Sequence, residues 1–394
     1  MSLVESATFT STSKAIRTVS LPSGAYVLSL ASLPSLYAAS SSAPTNGVHL
    51  FDKTNLRAVA TLPGHDDTVT CMRVVSNIAG SSRETLITSG KDAFIKVWDE
   101  RAGSPAFQMS ALSSGSRRPL LSCDVSPDGL TVAAGTVLQG DDASLLYWDP
   151  RNPAAPLRTH TYTHSDDITA VHFLKSQNSS QNVLLSASTD GLVCTTNPDE
   201  DDEDEAALNV GNWGCSIAQA GWIHGRSGPP GVWTASDMET FGTWSGELDM
   251  VEDVDIRQPS IHRRDFTWVT DYLIACHNNT VIPSNRDNDL SLFLGSNEGD
   301  IALITRSTLC DLNVPWSMER LWKLGHVGVV RSALWDERNN ILLTGGEDSK
   351  LNAWPCPSLS SESSDLGSDK RESDSTDMDV DEEDRSPDRK KRRP

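Results

Sequence analysis

Two sets of side chains in this chain share one spacing. His65, Thr88, Asp92 and Trp98 make the first set, and His326, Thr344, Asp348 and Trp354 the second. In each, a glycine precedes the histidine, and the aspartate lies four residues after the threonine and six before the tryptophan. An imidazole, a hydroxyl, a carboxylate and an indole N–H can pass hydrogen bonds from one to the next, so both catalysis and a structural network are open to them. A hydrophobic pattern recurs easily by chance, whereas a polar spacing repeated more than 250 residues further on needs a geometric cause. The sequence therefore reads as a repeat protein.

The elements that position these groups follow from what lies between the two sets. The end of the repeat can be traced as Phe51-Asp52, Trp98-Asp99, Trp148-Asp149, Thr196-Asn197, Trp244-Ser245, Ile304-Thr305 and Trp354-Pro355, seven marks roughly 47 to 60 residues apart. Short runs rich in Val, Ile, Leu and Thr precede each mark, divided by turn residues. The second unit offers Val69 to Val75, Leu86 to Ser89 and Ile95 to Trp98, and the third offers Leu120 to Val125, Thr131 to Ala134 and Leu145 to Trp148. Between the first two runs of the third unit, Ser126-Pro127-Asp128-Gly129 reads as a hairpin turn, with Pro pre-setting φ and Gly freeing the last position. Helical periodicity is nearly absent. The spacing predicts an all-β, seven-bladed propeller over residues 1–357, with four strands per blade.

These motifs resemble the WD-repeat family. The resemblance implies that His, Ser or Thr, Asp and Trp form one hydrogen-bonded chain inside a blade: Asp accepts from His, His bonds the hydroxyl, and the hydroxyl meets the indole. By motif this covers the two sets above, and the fourth unit keeps His164, Ser186 and Asp190 with Thr196 where Trp belongs. The fifth and sixth units have lost most of it. Such networks read as structural. The run Ala15 to Ser20 has no sheet of its own and the last unit lacks an outer strand, so the two should pair and close the ring. Trp98-Asp99-Glu100-Arg101 and Trp148-Asp149-Pro150-Arg151 resemble the double motif of propellers that serve cullin-four ubiquitin ligases as substrate receptors. That resemblance implies adaptor contacts at Arg101 and Arg151, against the plainer reading that each arginine ties down its own loop.

Other signals bound the function. No GxSxG elbow, phosphate-cradling glycine loop or paired histidine ligands occur, and the Ser126 to Gly129 turn is similar to the aspartate box of sialidases but appears once. The expectation is a non-enzymatic interaction scaffold, monomeric, with no cofactor and no metal. Seven cysteines are scattered singly, and Cys71, Cys123 and Cys276 fall in apolar strands, which fits a reducing compartment. Neither a signal peptide nor a membrane span is legible. A net charge of −21, most of it outside the tail, disfavours direct nucleic acid binding by the propeller. Its densest run is Asp199 to Glu205, seven consecutive acids, read either as a solvated, disordered loop or as a docking site for a basic nuclear or ribosomal protein. Asp66-Asp67 and Asp166-Asp167 are read as solvated loop acids or as a lining for the mouth of the central channel. Residues 358–394 are Ser-, Asp- and Glu-rich and read as disordered. They end in Arg389, Lys390, Lys391, Arg392 and Arg393, a candidate nuclear import signal, so nucleus and cytoplasm are both expected.

Overall fold

Each repeat mark closes the third strand of a four-stranded antiparallel sheet. The computed structural model describes residues 2–99, 101–113, 116–175, 182–224, 230–264, 266–278, 290–309, 311–357 and 359. One compact unit runs Met1–Leu359. The reading of the tail as disordered, and its basic cluster, fall outside the described residues. Among the described residues the strands build seven blades. Blade 2 is representative, with strands Val69–Val75, Thr85–Gly90, Phe94–Asp99 and Ser104–Ser110 in order from the axis outwards. The inner strands of the other blades begin at Val27, Leu120, Ile168, Ile217, Tyr272 and Val330.

Successive side chains on a strand point to opposite faces, and in a propeller both faces of every sheet meet another sheet. Leu86 therefore joins Trp98, Met72 and Leu50 in the layer between blades 1 and 2. Its neighbour Ile87 joins Ile95, Val97 and Trp148 in the layer between blades 2 and 3. The buried apolar residues sort into seven such layers, one per pair of adjacent blades, including blade 7 against blade 1. The ring is closed. At the closing layer the Val27 side chain lies so near Gly345 that a Cβ there would stand 2.2 Å from its methyl carbon. The Tyr37 hydroxyl donates to Asp336 at 3.0 Å and the Lys53 ammonium reaches the same carboxylate at 3.2 Å.

The N-terminal segment supplies two strands. Strand β2 (Arg17–Ser20) pairs antiparallel with Lys350–Pro355 and becomes the outer strand of blade 7, as the sequence predicts. Strand β1 (Leu3–Thr12) was not foreseen: it adds in parallel to Trp316–Trp322, the outer strand of blade 6, as a fifth strand. It is held by Phe9 stacked on Phe266 at 5.4 Å and by Glu5 against Arg263 at 3.0 Å. The two strands carry different burdens. β2 leads into Leu21, which is buried in the closing layer, whereas much of β1 faces solvent. Deleting residues 1–20 should lower the melting temperature by roughly 5 °C or more, and deleting residues 1–12 should cost clearly less. Differential scanning calorimetry of the two truncations measures the difference.

Candidate functional site

In blade 2 a long loop brings His65 beneath the turn that carries Asp92. His65 Nδ1 lies 2.8 Å from Asp92 Oδ1, and Nε2 lies 2.7 Å from the Thr88 hydroxyl. That hydroxyl also accepts the Trp98 indole N–H at 2.9 Å. A neutral histidine protonated at Nδ1 satisfies every group in one direction: indole to hydroxyl, hydroxyl to imidazole, imidazole to carboxylate. Gly90 makes room for the ring, since a Cβ there would stand 2.6 Å from His65 Nδ1. Blade 7 repeats the arrangement, with His326 Nδ1 3.0 Å from Asp348, Nε2 2.8 Å from Thr344, and Trp354 donating to Thr344 at 2.9 Å. There Asn352 donates to the Gly325 carbonyl and accepts from Thr18 of β2 at 2.6 Å, which ties the closing strand to the network.

Blade 4 holds a shorter version. His164 lies 2.8 Å from the Ser186 hydroxyl but 3.3 Å from Asp190, and Ser188 occupies the position that is glycine in blades 2 and 7. With Thr196 in place of the indole, the chain of bonds stops at the hydroxyl. Blade 5 keeps only the other end, Trp244 donating to Thr234 at 2.9 Å. The order hydroxyl, imidazole, carboxylate is that of a hydrolase triad, yet Thr88, Ser186 and Thr344 are all fully buried. In blades 2 and 7 the hydroxyl oxygen is also occupied by an indole, so no substrate can reach it. Burial and the indole bonds fit a structural role for the relays.

Electrostatics support that role. Burial opposes ionisation of Asp348, but the bonds from His326 and from the Val327 and Lys350 amides prevail and bring it down to about 2. Asp92 and Asp190 shift downward for the same reasons. A depressed carboxylate stabilises the fold above its ordinary value near 3.8, and that contribution disappears as pH falls through the folded-state value. Stability should therefore drop between about pH 4 and pH 2, with Asp348 accounting for roughly 2 kcal/mol, and Asp348→Asn should flatten the curve. Urea melts across that range test it. Gly90→Ala should cost about 1–3 kcal/mol by forcing the His65 ring aside, measured in the same assay.

The two arginines of the repeated Trp-Asp-x-Arg motif sit in the turns after the third strands of blades 2 and 3. Arg151 folds back on Asp149 with two bonds of 2.8 Å, which hold that carboxyl below its ordinary range. Arg257 does the same to Asp255 in blade 5, outside any such motif. The Arg101 amide bonds Asp99 at 2.9 Å, while its exposed guanidinium bonds no described residue. The two motif arginines are thus not equivalent in the free protein.

The acidic run is not the disordered loop that its composition suggests. Asp202 caps a one-turn helix, Glu203–Ala206. The Glu203 carboxylate reaches back to the Thr161 and Tyr162 amides and the Thr163 hydroxyl, each at 2.7 Å. Arg158 bonds Asp201 at 2.6 Å. These bonds pin the run against blades 3 and 4 and leave Asp199, Asp204 and Glu205 outward. Around it stand exposed apolar side chains, Leu157 (69%), Tyr162 (89%) and Val210 (59%). Charge density was legible in the sequence. The anchoring was not, because it depends on backbone amides of a neighbouring loop.

The inner strands of all seven blades enclose a central channel of ≈ 500 Å³. Asp66 and Asp67 remain exposed, but Asp167 is engaged in accepting the Leu138 amide at 2.7 Å. The channel wall instead holds a basic and thiol cluster that sequence reasoning missed. Arg73 of blade 2 reaches past blade 3 to His172 of blade 4, with its terminal nitrogens 2.9 and 3.0 Å from the two ring nitrogens. The available signal was positional, for Arg73 and His172 each lie eight residues after their blade's relay histidine. Among the described residues no cluster of His, Cys, Asp and Glu has a metal-holding arrangement, and no helix is long and apolar enough to cross a membrane.

Comparison with known proteins agrees with the architecture. A family model described as WD domain, G-beta repeat matches residues 56–99, the segment that becomes most of blade 2. The chain is 26% identical over 336 residues to the WD repeat-containing protein 89 homolog of Dictyostelium discoideum, covering 84% of this chain and 82% of that one. It is 28% identical over 326 residues to WD repeat-containing protein GTS1 of Arabidopsis thaliana, covering 79% and 76%. Among solved structures, the computationally designed Ika8 protein superposes with a TM-score of 0.58 at 15% identity, covering 88% of this chain and 98% of that one, a likeness of fold alone. Seven blades, one matched WD repeat and similarity over most of the chain to relatives named for that repeat make this chain similar to the WD-repeat β-propeller proteins.

Proposed function

We propose that this propeller is a non-enzymatic scaffold that docks a basic segment of a partner protein on the rim of blades 3 and 4, as an assembly factor or chaperone for basic nuclear or ribosomal proteins would. The observation that carries the reading is the anchored acidic run. Carboxylates held rigid by Glu203 and Arg158 do not have to be ordered on binding, which lowers the entropic cost of association. The exposed Leu157, Tyr162 and Val210 beside them supply apolar contact that a purely solvated loop would lack. The basic C-terminal cluster Arg389 to Arg393, read as an import signal, fits such a partner by giving access to the nucleus.

The test leaves the anchors intact. The triple variant Asp199→Asn, Asp204→Asn, Glu205→Gln should weaken binding of a polylysine-rich peptide roughly tenfold at low salt, with wild-type binding itself falling steeply as salt rises. Titration calorimetry that finds wild type and variant alike, or no salt dependence, removes the reading.

A second reading, a substrate receptor of a cullin-four ubiquitin ligase, is supported by the exposed Arg101 guanidinium, which bonds no described residue, and by the same motif at Arg151 in the next blade. In this version Arg101 meets an adaptor carboxylate directly, and Arg151 has to leave Asp149 to do so. Capture of the ligase adaptor by wild-type protein, abolished in Arg101→Ala with Arg151→Ala, would favour it over the first. Capture that the double variant leaves undiminished would exclude it.

A further inference from the structure

We infer that Cys71 and Cys123, which face each other between the inner strands of blades 2 and 3 beside Arg73, form a peroxide-reactive dithiol that closes to a reversible disulfide between the two blades. Cys71 lines the central channel, so a small oxidant can reach it. Its thiol accepts from Arg73 Nε at 3.4 Å and donates to the Cys123 carbonyl oxygen at 3.6 Å. Both side chains belong to the layer between blades 2 and 3, with Cys123 fully buried there. The six cysteines of the described residues are all free thiols, so the pair is reduced here.

Arg73 brings a positive charge to the channel wall. A guanidinium cannot shed its proton, and a neutral imidazole accepts one hydrogen bond, not two. His172 is held neutral: burial, then the charges of Arg73 and Lys175, push it well below its ordinary value. Two arginine N–H groups pointing at both of its nitrogens therefore leave one of them facing another donor. The nearby Asp124 carboxylate is engaged with the Phe173 amide at 2.9 Å and with the Val125 amide. Asp124 keeps its negative charge and faces Arg73 as well, and the guanidinium beside the Cys71 sulfur favours the thiolate once the thiol proton leaves. The shift agrees in direction: a bond from the Cys123 thiol, opposed by burial and aided by Arg73, lowers Cys71, while Cys123 is raised.

The chemistry balances with hydrogen peroxide as the oxidant. The Cys71 thiolate attacks one peroxide oxygen. An S–O bond forms, the O–O bond breaks, and hydroxide leaves to take up a proton as water. Cys71, oxidised by two electrons, is then a sulfenic acid. The Cys123 sulfur attacks it, the S–S bond forms, the S–O bond breaks, and a second water leaves with the Cys123 proton. Two thiols and one peroxide give one disulfide and two waters.

The full chain is treated with a small excess of hydrogen peroxide, its remaining thiols are blocked after denaturation, and the digest is mapped without reduction. The expected product is a Cys71–Cys123 linked peptide, lighter by two hydrogens and released by dithiothreitol. Cys71→Ser should protect Cys123 from oxidation. Cys123→Ser should leave a Cys71 sulfenic acid that dimedone traps. In unoxidised protein, Cys71 should react with iodoacetamide roughly tenfold faster than Cys215. Arg73→Gln should remove that advantage, with an unchanged melting temperature excluding misfolding and Arg73→Lys as the rescuing variant if Gln unfolds the chain. Complete alkylation of both cysteines after peroxide overturns the proposal. So does accumulation of sulfinic acid on Cys71 with Cys123 still free, or prior oxidation of Cys215.

Discussion

Every sheet in this molecule depends on the packing of apolar side chains between adjacent blades, and that packing is satisfied only when the ring is complete. An isolated blade would expose two hydrophobic faces, and an open arc would expose the faces of its first and last blades. Closure at blades 7 and 1 is therefore a condition for all the other layers. The chain meets it by making blade 7 from two distant segments, so that residues 17–20 and 330–355 share one sheet. Thr18 bonding Asn352 next to His326 couples that closure to a polar relay rather than to apolar contact alone. The closing blade is thus fixed in register as well as buried.

The relays in blades 2, 4 and 7 show how far composition can mislead about chemistry. A hydroxyl, an imidazole and a carboxylate in line at 2.7 and 2.8 Å would suit acyl transfer if the hydroxyl met a cavity. Here the fourth group, the indole, closes the hydroxyl off, and Gly90 or Gly346 lets the ring press against backbone. Where glycine is replaced by Ser188 and the indole by Thr196, the histidine–carboxylate distance lengthens to 3.3 Å. The four positions work as a unit, and losing two of them loosens the other pair.

The candidate sites lie on the parts of the ring that do not repeat. Among the described residues, the anchored acids of blade 4, the Arg101 guanidinium of blade 2 that bonds no described residue and the cluster of Arg73, His172 and Cys71 on the channel wall each occur once. Repeated positions are constrained by closure, so their residues are explained by stability. A side chain that departs from the repeat without a structural reason is the better guide to partners and reactivity.

From the sequence alone, the count of blades, the pairing of the N-terminal run with the last unit and the identity of the relay residues were all readable. Each depends on local spacing that recurs at a fixed period, and periodicity survives in one dimension. Strand β1 on blade 6, the bonds that fold Asp199 to Glu205 onto blades 3 and 4, and the reach of Arg73 across blade 3 to His172 were not readable. They join residues far apart in the chain, 41 for Glu203 and Tyr162 and 311 for Thr8 and Glu319, through contacts that follow no repeat. No period announces such contacts. Only the three-dimensional arrangement decides which of them form: closure brings Arg73 and His172 together across the axis, and the order of outer strands and loops places β1 on blade 6 and the acidic run on blades 3 and 4.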